Sequence, residues 1–335
     1  IADMGAAALI REKIPTMPLH ASTQFSGHNA DAARFLAAHG FTRMVAAREL
    51  SREDLTALCK ASPIEIETFI HGALCVCHSG QCLFSSMVGG RSGNRGMCAQ
   101  PCRLPDKSGN YPLSLKDLSM ASRIPELLAA GAKSLKIEGR MKNPDYVFNV
   151  VGAYRRALDA VGAGSWDSDV AAACKRKLGM SFNRGFTDVY LRGASGAELM
   201  SFERACNQGL RVGELVERRY EEVSVRLCDA VRAGDMLEIR STPGPDAPAD
   251  VPKRWPQVPC PVDAKAGEVI DVHCKRKVEV GSIVNRISSV EVLERTDAAL
   301  ARMRTELESY SSDYVPAHVG RCTSEPLGLS GEPAV

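Results

Sequence analysis

Over roughly the first 160 residues, short apolar runs alternate with longer stretches whose apolar positions recur every three or four residues. The short runs predict strands at 18–22 (PLHAS), 42–48 (TRMVAAR), 63–70 (PIEIETFI), 111–117 (YPLSLKD) and 133–139 (KSLKIEG). Between them lie helical patterns. NADAARFLAAHG carries an apolar stripe at Ala33, Phe35, Leu36 and Ala37 with Gly40 as its stop, and SREDLTALCKAS opens on Ser51 as an N-cap. SRIPELLAAG has Pro125 in its first turn and Gly131 behind its last. Alternating strands and helices imply an α/β fold with a parallel sheet under covering helices. Five strands plus a partial one at residue 1 fall short of the eight that close a TIM-like (β/α) barrel, so the expectation is a barrel that is N-terminally truncated in this chain.

Farther along the pattern changes. PDYVFNVVGAYRRALDAVG and DVAAACKRKLG are helical, whereas GLRVGELVERRYEEVSVRL, AGDMLEIRS, GEVIDVHCKR and VGSIVNRISSVEVL read as short strands between glycine turns. The expected organisation is a partial (β/α) barrel with a cysteine-bearing loop at 1–165, a helical connecting segment at 166–206, a small β-barrel-like domain at 207–295, and a helix with a disordered tail at 296–335. The Pro-, Ala- and Asp-rich stretch STPGPDAPADVPKRWPQVPCPVDAKAG reads as a mobile surface loop within the β-rich part.

Strand alternation also predicts where charge is held. In PIEIETFI the isoleucines Ile64, Ile66 and Ile70 belong under the helices, which turns Glu65, Glu67 and Phe69 toward the barrel interior. The same logic turns Leu135 and Ile137 outward and Lys136 and Glu138 inward, and His20, Arg48 and Lys116 extend the interior set. Acidic and basic groups in a lumen must pair with one another or bind a polar ligand near the strand ends. Glu67 and Lys136 are therefore either catalytic or a buried structural ion pair.

Composition is that of an ordinary globular chain, 44% apolar and 24% charged, and a net charge of +2 requires any nucleic-acid contact to come from local clustering of Lys and Arg. No run of about 18 apolar residues predicts a membrane span. Five of the twelve cysteines fall between Gly72 and Cys102. Cys75 and Cys82 have six residues between them, Cys98 and Cys102 three, and fifteen separate the two pairs. Twelve cysteines in a chain of this length favour a reducing cytoplasm, with thiolates holding an iron–sulfur cluster or a structural zinc, over disulfides. Between the pairs, GGRSGNRG sets Arg91 and Arg95 in a glycine-rich turn that could cradle phosphate or carboxylate, or could be a solvated turn. Arg103, Arg140 and Lys142 add positive charge nearby.

EIETFIHGALCVCHSGQCLFSS followed by RSGNRGMCAQPCRLP, together with KIEGRMK, FNRGFT and NQGLRVGE, resembles the signature of the collagenase-like peptidases, peptidase family U32. The shared pattern is Glu67, Phe69, Gly72, Ala73, Leu74, Cys75, Gly80, Cys82 and Ser85; Phe84, Cys77 and His78 depart from it, and the likeness covers about residues 1–215. The resemblance implies a TIM-like barrel and two rival activities. One is a protease. The other is an oxygen-independent RNA hydroxylase with a four-iron four-sulfur cluster, most similar to the branch acting on cytidine in large-subunit ribosomal RNA, with a sister branch acting on tRNA uridine and prephenate as the hydroxyl source.

On this resemblance Cys75, Cys82, Cys98 and Cys102 would be the cluster ligands, although some quinone-pathway relatives place the fourth cysteine near the position of Lys136. Glu67, Lys136, Glu138 and Arg140 would act on a small carboxylate donor or the target base, and His20, Arg48, Arg91 and Arg95 would bind substrate. The chain has no HExxH and no GxSxG, although His71 and His78 flank Cys75 and Cys77 and leave a Cys/His nucleophile open. A non-catalytic RNA-binding scaffold is the third reading.

Overall fold

The computed structural model describes residues 1–241 and 255–311. Its first sheet contains β1 (Leu19–Ala21), β2 (Phe41–Val45), β3 (Glu65–Ala73), β4 (Asp117–Ser119), β5 (Ser134–Ile137) and β6 (Phe186–Thr187). Helices α1 (Met4–Lys13), α2 (Ala30–Ala38), α3 (Arg52–Ala61), α4 (Phe84–Gly89), α5 (Ile124–Ala129), α6 (Pro144–Gly162) and α7 (Ser168–Gly179) intervene. The sheet runs β1-β2-β3-β4-β6, with β5 also paired to β3, and forms a half-barrel.

Local sequence explains the helix ends. Ser51 Oγ accepts from the Asp54 amide at 3.1 Å, Asn29 Oδ1 accepts from Ala32, and Gly40 and Gly131 follow their helices at positive φ. In α6, Tyr146, Asn149, Val150, Ala153, Tyr154 and Ala157 are buried, a stripe of helical period. Phe35 departs from the expected stripe of α2. It is 53% exposed and stacks on His39 at 4.3 Å, because two residues of helix carry it to the far side from Ala33.

The β1/β2, β2/β3, β3/β5 and β4/β6 pairs are parallel, but β4 runs antiparallel to β3, with Ala73 opposite Asp117. That departs from the all-parallel expectation, and the reason lies in the intervening segment. Residues 74–116 hold only short helical turns at the end of β3, so the chain re-enters from that end and runs back beside it. Of the strand expected at 111–117, only Asp117 belongs to β4.

The second sheet comprises β7 (Leu210–Arg219), β8 (Glu222–Leu227), β9 (Met236–Arg240), β10 (Gln257–Pro259), β11 (Val269–His273) and β12 (Ile283–Ser288) in the order β10-β9-β12-β7-β8-β11. Its inward positions, among them Val212, Leu215, Val223, Val225, Leu237, Ile239 and Val284, make a core separate from that of the half-barrel. Part of the stretch expected to be a loop is strand, since β10 pairs antiparallel with β9. Residues 242–254 of that stretch and the expected disordered tail beyond residue 311 lie outside the described residues. Residues 1–293 form one compact unit; a second begins at Glu294 within α8 (Val290–Ser311). Among the described residues no helix is long and apolar enough to cross a membrane.

Candidate functional site

The parallel register gathers charge on one face of the half-barrel. His20 pairs with Arg43 and Arg43 with Glu65, while Val45, Glu67 and Ser134 continue the next row and Phe69 stands opposite Lys136. Glu67 is the centre of this face. Its carboxylate accepts from Ser134 Oγ at 2.8 Å, lies 3.1 Å from Lys136 Nζ, and meets Arg43 Nη1 at 3.3 Å. Burial alone would raise the Glu67 carboxyl, but the bonds from Ser134 and Lys136 and the charges of Lys136 and Arg43 bring it below the usual range. Glu67 is thus held as an anion. The Lys136 side chain is 41% exposed, so its ammonium remains reachable from solvent. His20 is exposed, and its backbone carbonyl accepts from the Ile1 nitrogen at 2.9 Å.

Arg48, just beyond β2, lies with its guanidinium carbon 4.1 Å from the Phe69 ring centre, and Lys136 Nζ is 5.5 Å from the same ring. Burial lowers the Arg48 pKa, while the charges of Cys75, Glu138 and Glu49 act to raise it. One side chain therefore borders both the charged face and the first cysteine.

One residue before the end of β3 stands Gly72, whose φ of +107° disfavours any side chain; a Cβ there would run into the carbonyl oxygen of Glu138, just beyond β5. Ser79 fixes the first half of the loop: its N–H and Oγ donate to Glu49 Oε1 at 3.0 and 3.2 Å, and its Oγ accepts from the Arg48 amide. The second half is fixed by Arg103, next to Cys102. Arg103 Nη2 donates to the carbonyl of Leu74, next to Cys75, at 2.9 Å, and its Nη1 donates to Ser114 Oγ and the Leu115 carbonyl. The neighbours of the two outermost cysteines are thereby joined by one guanidinium.

Electrostatics reports the same convergence. Burial pushes the Cys75 thiol up, with Cys82 and Cys102 acting in the same direction and Arg48 against it. Cys102 is likewise raised by burial and by Cys98 and Cys82, and Cys77 by burial and by Cys82. A Cβ on Gly93 would stand 3.7 Å from Cys98 Cβ and 3.9 Å from the Cys82 carbonyl oxygen, so the glycine turn folds over both pairs. All eleven described cysteines are free of disulfides. Among the described residues no three His, Cys, Asp or Glu side chains are set to grip a single metal ion. The thiols of Cys75, Cys82, Cys98 and Cys102 are nonetheless close enough to act on one another, as sulfur donors to one centre would be.

Arg91 and Arg95 are exposed on that turn, whereas Arg140 reaches it: its Nη2 donates to the Gly96 carbonyl, and its amide donates to Glu138 Oε1 at 3.0 Å. The expected residues thus form two groups, lumen and loop, joined by Arg48 and Arg140.

A third group was not assembled from the sequence. Asp117, at the start of β4, pairs with Arg184 of the FNRGFT segment at 3.0 Å, and both side chains are buried. Lys142 Nζ lies 3.3 Å from the Phe182 ring centre and 5.4 Å from that of Tyr146. His71 is 1% exposed and touches the Tyr146, Tyr154 and Phe186 rings. The placing of Arg184 and Lys142 in the two family-like segments FNRGFT and KIEGRMK was the available signal; their meeting depends on a contact between chain segments some forty residues apart.

Residues 1–201 match the model of Peptidase family U32. The chain is 37% identical over 255 residues to a 23S rRNA 5-hydroxycytidine synthase of Escherichia coli, covering 71% of this chain and 38% of that protein. It is 34% identical over 218 residues to tRNA hydroxylation protein P1 of Bacillus subtilis, covering 60% and 52%. To a collagenase of Porphyromonas gingivalis it is 36% identical over 198 residues, covering 52% and 48%. The chain therefore spans about half or less of the length of these relatives. No solved structure matches it.

Proposed function

Because the chain belongs to peptidase family U32, we propose that it carries the thiol-bearing part of an RNA hydroxylase that is iron–sulfur-dependent and oxygen-independent. The substrate in this reading is a cytidine of large-subunit ribosomal RNA or a uridine of transfer RNA, with prephenate as hydroxyl source, and the setting is the cytoplasm. The half-barrel would then be part of a closed TIM-like barrel. Relatives named for hydroxylation of ribosomal and transfer RNA support the substrate class. The observation that carries the reading is the Arg103 bridge to Leu74, which draws the Cys98/Cys102 pair back to Cys75 beside Arg48 and the charged face.

Cys75, Cys82, Cys98 and Cys102 would hold the cluster, which when bound supplies electron transfer at the barrel mouth. This chain's own groups do the rest. Glu67, fixed as an anion, orients Lys136 toward the lumen; Glu138 and Arg140 tie β5 to the loop; Arg48 and His20 offer cationic and polar contacts to a substrate entering that face. Arg91 and Arg95, exposed on the turn, are placed to meet phosphates of an RNA whose target base is unstacked.

A relative named collagenase supports the peptidase reading. It needs an activated thiol, and here Cys75 is pushed up by burial, while burial holds His71 neutral down to about pH 3. The deciding experiment is nucleoside mass spectrometry of ribosomal and transfer RNA from a deletion strain. Loss of one hydroxylated pyrimidine, restored by the intact gene but not by Cys82→Ala, is expected. Iron and sulfide in anaerobically purified protein should accompany it, whereas stoichiometric zinc would make the thiols a structural centre. Unchanged RNA, with peptide hydrolysis abolished by Cys75→Ala alone, would return the chain to the peptidases.

A further inference from the structure

One turn of the second sheet holds a residue at odds with its backbone. β7 and β8 are joined by the two residues Tyr220 and Glu221, with Arg219 paired to Glu222 across the hairpin. Tyr220 has φ +54°, the left-handed region that such turns ordinarily fill with glycine, asparagine or aspartate. Packing does not offset the strain, because Tyr220 is 95% exposed and nothing in the described protein covers its ring. A bulky residue kept in a strained conformation with its ring in water points to a contact made outside the chain.

Beside that turn runs a cationic loop. Lys275, Arg276 and Lys277, which follow β11, are all exposed, while Val278 is buried. Backbone-directed bonds hold loop and turn together. The Cys274 amide donates to the Glu221 carbonyl at 2.6 Å. Arg218 donates from Nε to the Tyr220 carbonyl at 3.0 Å, and from Nη1 to the carbonyls of Arg276 and Val278 at 3.3 and 3.1 Å. One guanidinium thus fixes the backbone under the ring and the backbone under the lysines as one unit, which leaves little to order on binding. The acids of the turn are engaged. Arg219 holds Glu217 at 2.7 Å, and Glu221 and Glu222 flank His273 at 3.4 and 3.1 Å. Lys275 and Lys277 form no ion pair among the described residues, and the loop sets one acid, Glu279, against its three cations.

We propose that this tip binds single-stranded RNA, an unpaired base stacking on the Tyr220 ring and the flanking phosphates meeting Lys275 and Lys277. Every base offers a flat face and every nucleotide a phosphate, so the tip recognises the polymer without reading its sequence. An acidic peptide would satisfy the lysines and leave the ring bare, which is why the observations favour RNA. The surface lies in the second sheet, whereas Arg91 and Arg95 lie in the thiol loop, so the substrate chain gains a second and separate hold. The proposal deepens the hydroxylase reading and rests on it only for which RNA the tip meets in the cell.

Fluorescence anisotropy of the intact protein with a labelled, unstructured RNA oligonucleotide of mixed sequence tests it. Tyr220→Asn, which suits the left-handed turn, is expected to melt no lower than the unaltered protein yet to bind the RNA about fivefold or more weakly. Lys275→Gln and Lys277→Gln should each flatten the dependence of log affinity on log salt by about 0.7, and Lys60→Gln, an exposed lysine of α3, should leave it unchanged. Ultraviolet cross-linking read by peptide mass spectrometry should place RNA on the tryptic peptide that begins at Tyr220. Undiminished affinity in Tyr220→Asn, equal affinity for a duplex of the same sequence, polyglutamate bound as tightly as the RNA, or no RNA binding overturns the proposal. If Arg91→Ala and Arg95→Ala weaken RNA binding while the tip variants do not, the tip fails and the hydroxylase reading stands. If the deletion strain keeps all its hydroxylated pyrimidines while Tyr220→Asn still loses RNA, the tip stands and the hydroxylase reading alone fails.

Discussion

The Arg48 guanidinium carbon lies 4.1 Å above the Phe69 ring, and this contact connects the thiol loop with the charged face of the half-barrel. A cation held over an aromatic face away from water contributes about 1–2 kcal/mol. A double-mutant cycle of Arg48→Met and Phe69→Leu, read by urea denaturation, should give a coupling of about 1 kcal/mol. If the chain is the hydroxylase proposed above, RNA hydroxylation should fall at least tenfold in Arg48→Met while the fold persists. Zero coupling would mean that the ring and the guanidinium merely adjoin.

Arg103 is expected to matter more for stability than any other arginine of the loop. Arg103→Met strands two carbonyls and a buried serine hydroxyl, a loss of about 2–4 kcal/mol. Arg91→Ala and Arg95→Ala, on the exposed turn, should each change stability by less than about 0.5 kcal/mol. Chemical denaturation of the three variants checks the ranking, and equal losses would remove Arg103 from its role as the tie.

His71 gives the fold a pH dependence of definite sign. Burial, helped by the Lys142 charge, lowers its pKa from 6.5 to about 3, and the groups packed on it, Tyr146, Tyr154 and Phe186, provide no compensating anion. Above pH 6.5 folded and unfolded chains both hold a neutral imidazole and the group contributes nothing. Between 6.5 and about 3 only the unfolded chain takes up the proton, so stability falls as pH falls, with a slope approaching about 1.4 kcal/mol per pH unit. His71→Gln should flatten that slope by close to one proton. The same slope in both proteins would place the acid sensitivity elsewhere.

How much of this was legible beforehand depends on range. Ser51, Gly40 and the α6 stripe follow from local pattern, and the inward turn of Glu67 and Lys136 follows from strand alternation that the register preserves. Phe35 was misplaced because an apolar residue was counted by type instead of by its angle on the helix. The direction of β4, and with it the meeting of Asp117 with Arg184 and of Lys142 with Phe182, was not legible, because those contacts join distant segments through a reversal that no local signal announces. The sequence showed five thiols gathered in one loop, but Arg103, which ties the neighbours of Cys75 and Cys102 together, had been read only as nearby charge.

Gly72→Ala is the sharpest test of how the loop leaves β3. The φ of +107° and the Glu138 carbonyl both oppose a methyl group, and a cost of at least about 2 kcal/mol is expected. Gly89→Ala, with nothing within 4 Å of the added carbon, should be neutral or slightly stabilising. Thermal melts of the two variants separate them, and a neutral Gly72→Ala would show that β5 can withdraw from the loop stem.

The antiparallel return of β4 brings Asp117 beside Ala73, so the excursion through all five clustered thiols starts and finishes at one point of the scaffold. A detour closed at its base can be reshaped without pulling its two stems apart, so the strands underneath keep their pairing whatever conformation the thiol-bearing part adopts.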